Sequence, residues 1–382
     1  MSSSSIRGPS SPDRHLTDEE DDTSDVSLRP MKTLIALLCS FTCAFAGPTV
    51  LYVSESGDKR ISVWSMEEST GAITRVGEAT MPAGTGSLTL SPDLRHLHAS
   101  VRASKQLASL DVDVRSGALS NLTLSEAGFN ASYVHVDRTG RWLLAASYTE
   151  GVVGVSAIES GHVKGRPIQV RETGPAAHCI RTDRSNRFAF VPHVGRLNKV
   201  EQLRFDAKAG TLESNSPPHL AGGEGEGPRH MQFHPNGRWV YFVNEQGKSV
   251  TLCDLDPEKG TLTARQSVPT VPEDQRTQGT CADIHVSADG RFVYASNRGH
   301  NSIATFAVDG VTGMLTPKGQ TPTEPVPRSF CLVAGDRFLV SAGETSNRLI
   351  VFGRDAASGM LTPLKRHDCG KGPAWVMGVT FE

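Results

Sequence analysis

One short motif recurs seven times along the chain, and its period constrains the fold more than any other feature. Each copy is a turn signal of the form Thr-Gly-x-Leu, and its glycine falls at Gly71, Gly117, Gly161, Gly210, Gly260, Gly313 and Gly359. The steps between successive glycines are 46, 44, 49, 50, 53 and 46 residues. A repeat of about 40 to 50 residues is typical of solenoids, propellers and arrays.

A second signal, of the form Pro-Asp-Gly-Arg-Phe-Leu-Tyr, follows the same period. Its arginines are Arg95, Arg141, Arg187, Arg238, Arg291 and Arg337, spaced by 46, 46, 51, 53 and 46 residues. Within one unit an alternating strand, a turn, a second strand, a loop, a third strand, the glycine motif and a fourth strand follow one another. Four antiparallel strands without helical periodicity describe a β-propeller blade. Two stacked sandwiches would not explain a sevenfold period.

The two ends of the repeat region predict how the ring of blades closes. The early run TVLYVSES lacks a preceding inner strand, and the late run PAWVMGVTF supplies one. Residues 47–382 number 336, and one seventh of that is 48, in line with the observed steps. The sequence therefore predicts an all-β, seven-bladed propeller over residues 47–382, with four antiparallel strands per blade and a last blade made from both ends.

The segment before the repeats has two parts. Residues 1–30 are rich in Ser, Asp and Glu without an apolar pattern, and we interpret them as disordered. Residues 31–46 carry a lysine, an apolar run and a small-x-small end, the pattern of a secretory signal peptide with cleavage after Ala46. The run is too short for a comfortable membrane span, which takes about 20 residues. We expect an exported protein if this segment is a leader, and a cytoplasmic protein otherwise.

Composition excludes several classes of function. The formal net charge is −2 and the basic residues are scattered, so nucleic acid is not an expected partner. Cys39 and Cys43 would leave with the leader. The remaining five cysteines are odd in number and show no Cys-x-x-Cys spacing, so neither a disulfide framework nor a zinc site is indicated. No metal-ligand spacing appears elsewhere, and we expect no metal site.

The repeat also predicts where polar side chains meet. In a blade, the residue that enters the first strand and the residue that leaves the second are neighbours at one mouth of the central channel. The count starts at the turn residue directly before each repeat arginine. Eight positions before it lie Gly86, Ser132, His178, Arg229, Ala282 and Arg328. Counting eight positions after it gives Arg102, Tyr148, Val194, Glu245, Arg298 and Glu344. Charges gathered at such a mouth need partners or a ligand.

A structural explanation competes with a functional one for each of these residues. Arg229 and Glu245 would also be explained by an ion pair that ties one hairpin together, and Arg328 by stacking on Trp375. His234 is more readily explained as a hydrogen-bonding turn residue than as a ligand. The recurrence of charged groups at one position in successive blades favours a binding or catalytic site.

Four stretches carry a family resemblance over nearly all of residues 47–382. They are GPRHMQFHPNGRWVYFVNE, CADIHVSADGRFVYASNRGHNSIATFAVD, PTEPVPRSF and GKGPAWV. In these stretches the chain resembles the 6-phosphogluconolactonase and carboxy-cis,cis-muconate cyclase family of seven-bladed propellers. The resemblance implies a catalytic group of His178, Arg229, Glu245 and Arg298, without a metal or organic cofactor, acting on a small-molecule lactone.

Lactone hydrolysis needs a base to activate water and donors to hold the developing oxyanion. We assign Glu245 as the base, Arg229 and Arg298 to the oxyanion or to an anionic substrate group, and His178 to protonation of the leaving hydroxyl. Six further residues are assigned to substrate binding: His230, Asp283, Arg328, Trp375, Tyr148 and Glu344. A lactone-forming cyclase and a non-catalytic propeller that binds a ligand or protein are the alternatives, because a propeller fold by itself does not establish catalysis.

Overall fold

Short apolar runs rich in β-branched and aromatic residues form twenty-eight strands in the part of the chain that the computed structural model describes, residues 47–276 and 278–382. The predicted disordered segment 1–30 and the predicted leader 31–46 lie outside the described residues. Two short 3-10 helices, Ser56–Asp58 and Glu273–Gln275, accompany the strands. Within the described ranges, no helix has the length and apolar character needed to cross a membrane.

The strands form seven four-stranded antiparallel sheets, confirming the predicted propeller. Blade 1 contains β1 (Thr49–Glu55), β2 (Arg60–Glu67), β3 (Ala72–Thr80) and the last strand, β28 (Pro373–Thr380). Blade 2 contains β4 (Thr85–Leu90), β5 (His96–Val101), β6 (Gln106–Val112) and β7 (Leu119–Glu126). Blade 3 contains β8 (Tyr133–Val136), β9 (Trp142–Ser147), β10 (Val152–Glu159) and β11 (His162–Glu172). Blade 4 contains β12 (Arg181–Thr182), β13 (Phe188–His193), β14 (Lys199–Asp206) and β15 (Thr211–Ala221).

The remaining three blades follow the same order. Blade 5 contains β16 (Pro228–Phe233), β17 (Trp239–Asn244), β18 (Ser249–Asp256) and β19 (Thr261–Pro269). Blade 6 contains β20 (Thr280–Val286), β21 (Phe292–Arg298), β22 (Ser302–Val308) and β23 (Leu315–Pro322). Blade 7 contains β24 (Pro327–Val333), β25 (Phe338–Gly343), β26 (Arg348–Arg354) and β27 (Leu361–Asp368). The predicted closure is confirmed, because β28 is the inner strand of blade 1 and pairs with β1.

The hydrophobic core lies between the faces of adjacent blades. The second strands are buried along almost their whole length, as in β1, β13, β17 and β25, whereas the outer strands are largely exposed. A strand with a blade on each face must be apolar on both faces, so these runs are nearly continuous rather than alternating. The five cysteines of the described region are free thiols, and all but Cys369 are buried.

The turn between the first and second strands has the same backbone conformation in blades 2 to 7. The residue before each repeat arginine has a positive φ: Leu94 61°, Gly140 70°, Asn186 59°, Gly237 71°, Gly290 73° and Asp336 61°. Glycine, asparagine and aspartate tolerate this left-handed conformation best, which explains their recurrence at this position.

Each motif glycine contacts the preceding blade across the seam between them. It lies against a side chain at the start of the second strand of that blade, so that a Cβ built on the glycine would come within 2.0 to 2.7 Å of it. The seven contacts are Gly71 with Phe338, Gly117 with Val50, Gly161 with His96, Gly210 with Trp142, Gly260 with Phe188, Gly313 with Trp239, and Gly359 with Phe292. A side chain on the glycine would therefore hold the blades apart.

Hydrogen bonds reinforce these seams. The phenol of Tyr241 donates to the carbonyl of Gly313 at 2.8 Å, and that of Tyr294 donates to Gly359 at 2.7 Å. The repeat arginines also reach the turn of the next blade, where Arg187 donates to the carbonyl of Pro257 at 2.9 Å. Seven similar seams hold the blades in fixed orientation around the channel.

Substitution of a seam glycine should separate the effect of packing from that of backbone strain. Gly260→Ala places a methyl group 2.0 Å from Phe188 at a φ of +63°, whereas Gly195→Ala has a similar φ of +66° and nothing within 4 Å. Left-handed strain costs about 1–2 kcal/mol and overpacking adds about 1–3 kcal/mol. In urea titrations Gly260→Ala should lose more unfolding free energy than Gly195→Ala. Equal losses would show that the seam contact contributes nothing.

Candidate active site

The inner strands bulge where they reach one mouth of the central channel. In blade 5 the pairing skips Arg229, because Pro228 pairs with Asn244 and His230 with Val243. Blade 7 skips Arg328 in the same way, and the corresponding points of β4, β20 and β28 are also irregular. A β-bulge re-aims the side chain of its extra residue. Four of the positions that the eight-residue count identified, Gly86, Arg229, Ala282 and Arg328, are therefore released from the regular alternation of the strand.

A cavity at this mouth collects six of the ten predicted site residues. His178, Arg229, His230, Arg328, Glu344 and Trp375 all line it. Gly86 and Ser132, which hold the position of Arg229 in blades 2 and 3, form part of the wall. Of the other four predicted residues, Glu245 and Arg298 contact Arg229 or its partner, Asp283 lies beneath His230, and Tyr148 packs beside His178.

Arg229 joins the cavity to a group of two further charges. Its side chain is 1% exposed, and its Nε lies 2.8 Å from Oε2 of Glu245. The same carboxylate oxygen lies 3.2 Å from Nη2 of Arg298, which also donates to the carbonyl of Cys281 at 2.8 Å. Burial lowers the pKa of Arg229 to about 9, and the neighbouring charges of Arg298 and Arg328 act in the same direction. One carboxylate therefore pairs with two guanidinium groups, and the three side chains together keep a net positive charge.

The two histidines of the cavity are held in their neutral form. The ring centroids of His178 and His230 are 5.1 Å apart in an edge-to-face arrangement, and Trp375 lies against His230 at 5.7 Å. Burial, followed by the charge of Arg229, lowers the pKa of His178 well below its usual value and that of His230 to about 4. Nδ1 of His178 is buried and has no hydrogen-bond partner among the described residues.

Asp283 supports the cavity without lining it. Its Oδ1 lies 2.9 Å from Nδ1 of His230 and accepts from the backbone N–H of Ile284, and its Oδ2 lies 3.5 Å from His285. Burial alone would raise the pKa of this carboxyl, but the hydrogen bonds of His230 and His285 outweigh it and hold the pKa well below its usual range. Asp283 therefore orients His230. The sequence assignment placed Asp283 in substrate binding, but its side chain does not line the cavity.

The opposite wall carries a second group of charges. Nη1 of Arg328 lies 3.7 Å from Oε2 of Glu344. Arg102, which the eight-residue count identified but the site assignment left out, also lines the cavity, and burial together with the charge of Arg328 lowers its pKa. Arg102 holds the same position in blade 2 as Glu245 and Arg298 hold in blades 5 and 6, and this equivalence could have identified it from the sequence. The predicted stacking of Arg328 on Trp375 is not among the cation–π contacts of the described residues.

Tyr148 lies at the edge of this site. Its side chain is 45% exposed, and its ring centroid is 5.7 Å from that of His178 in an edge-to-face arrangement. It does not line the cavity, so it is placed to cover His178 from the solvent side. His234, by contrast, lies at the far end of its strand and bonds to the carbonyl of Gly290 at 2.9 Å, which matches its interpretation as a turn residue.

A wider cavity of about 880 Å³ opens on the opposite face of the propeller. It is lined by the turns between first and second strands in blades 4 and 5, including Arg184 and Arg238. Its arginines bond to neighbouring groups, since Arg181 donates to Gln232 and Arg187 to the carbonyl of Pro257. The smaller cavity at the mouth is the better candidate active site, because buried groups with displaced pKa values converge there.

Comparisons with known proteins agree with the fold. The family model described as lactonase, seven-bladed β-propeller, matches residues 49–377. A 6-phosphogluconolactonase of Pectobacterium carotovorum is 32% identical over 335 residues, covering 87% of this chain and 99% of the relative. A 6-phosphogluconolactonase of Yersinia pestis is 32% identical over 328 residues, covering 85% and 96%.

A solved structure extends this agreement to the backbone. The periplasmic gluconolactonase of Pseudomonas aeruginosa superimposes with a TM-score of 0.80 at 26% identity, covering 88% of this chain and 100% of that one. The match of the family model and the alignments with the curated relatives each cover more than four fifths of the chain. The chain therefore belongs to the family of seven-bladed β-propeller lactonases.

Proposed function

We propose that the protein hydrolyses a sugar lactone of the gluconolactone type at the channel mouth, by general acid and base catalysis without a metal ion. The observation that carries this proposal is the charge of the cavity, where Arg102, Arg229 and Arg328 face a single lining carboxylate, Glu344. A positive, partly buried cavity favours a reaction in which negative charge develops on the substrate. The names of the curated relatives and of the Pseudomonas structure support a gluconolactone-type substrate.

The arginines supply the electrostatic part of the mechanism. Attack on the lactone carbonyl places negative charge on its oxygen, and opening of the ring yields a carboxylic acid, which becomes a carboxylate by releasing its proton to solvent. Guanidinium groups bind such oxygens through paired N–H donors and remain charged near neutral pH. Arg229 is the most buried of the three at 1% exposure, so its interaction with the oxyanion is the least weakened by water. Arg102 and Arg328 stand on the far wall, where a carboxylate or phosphate group of the substrate would be held.

His178 is better suited than Glu245 to move the proton. Oε2 of Glu245 already lies within 3.2 Å of two guanidinium groups, and Glu245 does not line the cavity. The imidazole of His178 lines the cavity and is neutral. It takes a proton from the attacking water, and after the ring C–O bond breaks it returns that proton to the departing oxygen. Glu245 then acts as a positioning residue that holds Arg229 and Arg298, in place of the base that sequence reasoning assigned.

The purified protein should hydrolyse glucono-δ-lactone, its 6-phosphate, or both, above the spontaneous rate. His178→Gln should lower kcat by about 10²- to 10⁴-fold, the usual contribution of a general acid or base, with KM little changed. His219→Gln is the matched control, because His219 is exposed on the outer strand β15. No hydrolysis of either lactone by the wild-type protein, or normal turnover by His178→Gln, would contradict the proposal. The ratio of the two kcat/KM values identifies whether the substrate carries the phosphate.

Glu245→Gln tests the positioning role. The substitution keeps the shape of the side chain but removes the charge that supports the pKa of Arg229, so that pKa should fall below about 9. As the pH rises, Arg229 should then lose its charge at a lower pH than in the wild type. Affinity for the product carboxylate, measured by calorimetry, should decline at that lower pH as well. The loss of kcat should be smaller than that of His178→Gln. A loss as large as that of His178→Gln, with an unchanged pH dependence of product binding, would restore Glu245 as the base.

The lowered pKa of His178 predicts that the activity declines at an unusually acidic pH. The neutral form of His178 is the active one, and it is lost only as pH falls through a pKa well below the ordinary value of about 6.5. The kcat/KM should therefore stay level as the pH falls through the range in which an ordinary histidine titrates, and decline only at lower pH. Circular dichroism at each pH checks that the fold persists. A midpoint near 6.5 with intact fold would show that His178 titrates as an exposed histidine.

A further inference from the structure

A second cluster of titratable side chains lies on the face of the propeller opposite the mouth. His96 begins β5, Asp111 is its cross-strand partner in β6, and His162 begins β11 of the next blade. Nε2 of His162 lies 2.8 Å from Oδ1 of Asp111, and Nε2 of His96 lies 3.6 Å from the same oxygen. One potential ligand atom from each residue falls within 4.8 Å of the others. These three residues are the blade 2–3 cluster.

The other six seams show that this cluster is not a requirement of the fold. The positions equivalent to His96 hold Val50, Trp142, Phe188, Trp239, Phe292 and Phe338. The positions equivalent to His162, directly after the motif glycine, hold Ala72, Ala118, Thr211, Thr261, Met314 and Met360. The cross-strand positions equivalent to Asp111 hold Ser65, Ala157, Arg204, Asp254, Ala307 and Gly353. Only the seam between blades 2 and 3 combines two imidazoles with a carboxylate.

The surroundings of the cluster resemble the outer shell of a metal site. Nδ1 of His162 lies 2.7 Å from Oγ1 of Thr123, which can accept its proton and leave Nε2 free for a ligand bond. Asn121 donates to Oδ2 of Asp111 at 2.6 Å, which directs Oδ1 toward the two histidines. Partners of this kind fix the tautomer and orientation of metal ligands. Gly161 leaves room for the ring of His96, since a Cβ there would lie 2.0 Å from Nε2.

We propose that the blade 2–3 cluster binds one divalent transition-metal ion, for which Zn²⁺ is the reference, through His96, Asp111 and His162. Imidazole nitrogen and carboxylate oxygen are preferred ligands of such ions. Bond lengths of about 2.0–2.2 Å require ligand atoms about 3.3 Å apart, so the contacts at 2.8 and 3.6 Å need only small side-chain rotations. The partial exposure of all three side chains leaves a fourth position for water.

The ion would join two blades and would take no part in lactone hydrolysis. His96 is the first residue after the turn of its blade, whereas Arg102, at the mouth, follows the other end of the same strand. The bound ion would link β5 and β6 of blade 2 to β11 of blade 3. Its effect is therefore on the stability of this seam, and the failure of this inference would leave the proposed function unaffected.

Metal binding is tested on the full chain without a polyhistidine tag, after removal of metals with EDTA. Calorimetric titration with Zn²⁺ should give about one ion per chain, and Zn²⁺ should raise Tm reversibly. Thr123→Val keeps all three ligands but removes the partner of His162, so Zn²⁺ affinity should fall by about 10- to 100-fold. Titration with Co²⁺ provides a second measurement of metal binding, because the visible spectrum of the ion reports coordination by nitrogen and oxygen.

The repeat supplies variants that should fold without the metal. His96→Phe with His162→Thr installs the pair found in another seam, Phe188 with Thr261, and should abolish the Zn²⁺-dependent rise in Tm while lactonase activity persists. Asp111→Ser, matching Ser65, should do the same, whereas the control Asp254→Ser should bind Zn²⁺ normally. Absence of a Zn²⁺-dependent rise in Tm for the wild type, or an unchanged rise in Asp111→Ser, would overturn the proposal.

Discussion

The contact between a motif glycine and the side chain of the preceding blade is the interaction on which the rest of the structure depends. Phe292 can lie directly on Gly359 because the glycine has no Cβ and a φ of +74°. The neighbouring phenol of Tyr294 then reaches the carbonyl of the same glycine. Since a similar contact occurs at all seven seams, the angle between blades repeats, and the ring closes when β28 pairs with β1. The channel mouth is rigid because these seams are.

Rigidity matters at the mouth because the charges there are costly. A guanidinium buried as deeply as that of Arg229 loses hydration that one shared carboxylate only partly replaces. Its lowered pKa expresses that deficit. An anionic substrate group or oxyanion would supply the missing negative charge, so binding energy that a neutral cavity lacks becomes available in the transition state. Under the proposed function, a bound substrate would therefore offset the cost of gathering these charges.

The sequence predicted the repeat, the strand order and the closure because each depends on local turn chemistry. The counting argument also identified Arg229, Glu245 and Arg298 as neighbours, which the ion pairs of the structure bear out. It could not reveal the bulges, because one extra residue changes where a side chain points without changing the composition of the strand. Nor could it show that Asp283 lies under His230, since that contact joins two blades. The sequence did not reveal the blade 2–3 cluster either, because His162 meets His96 and Asp111 across a seam between two blades.

Internal repetition offers a test of function that a single sequence otherwise lacks. At each seam a glycine faces one side chain of the preceding blade, and in six of the seven seams that side chain is aromatic or aliphatic, because every seam solves the same packing problem. Mouth positions differ from blade to blade, with glycine, serine, histidine and arginine at one backbone position, so the fold does not dictate them. Variation at the mouth is therefore where selection for a ligand can act. By the same logic, His96 and His162 stand out because no other seam has an imidazole at either position, and two imidazoles beside a carboxylate are the ligands that the proposed metal site requires.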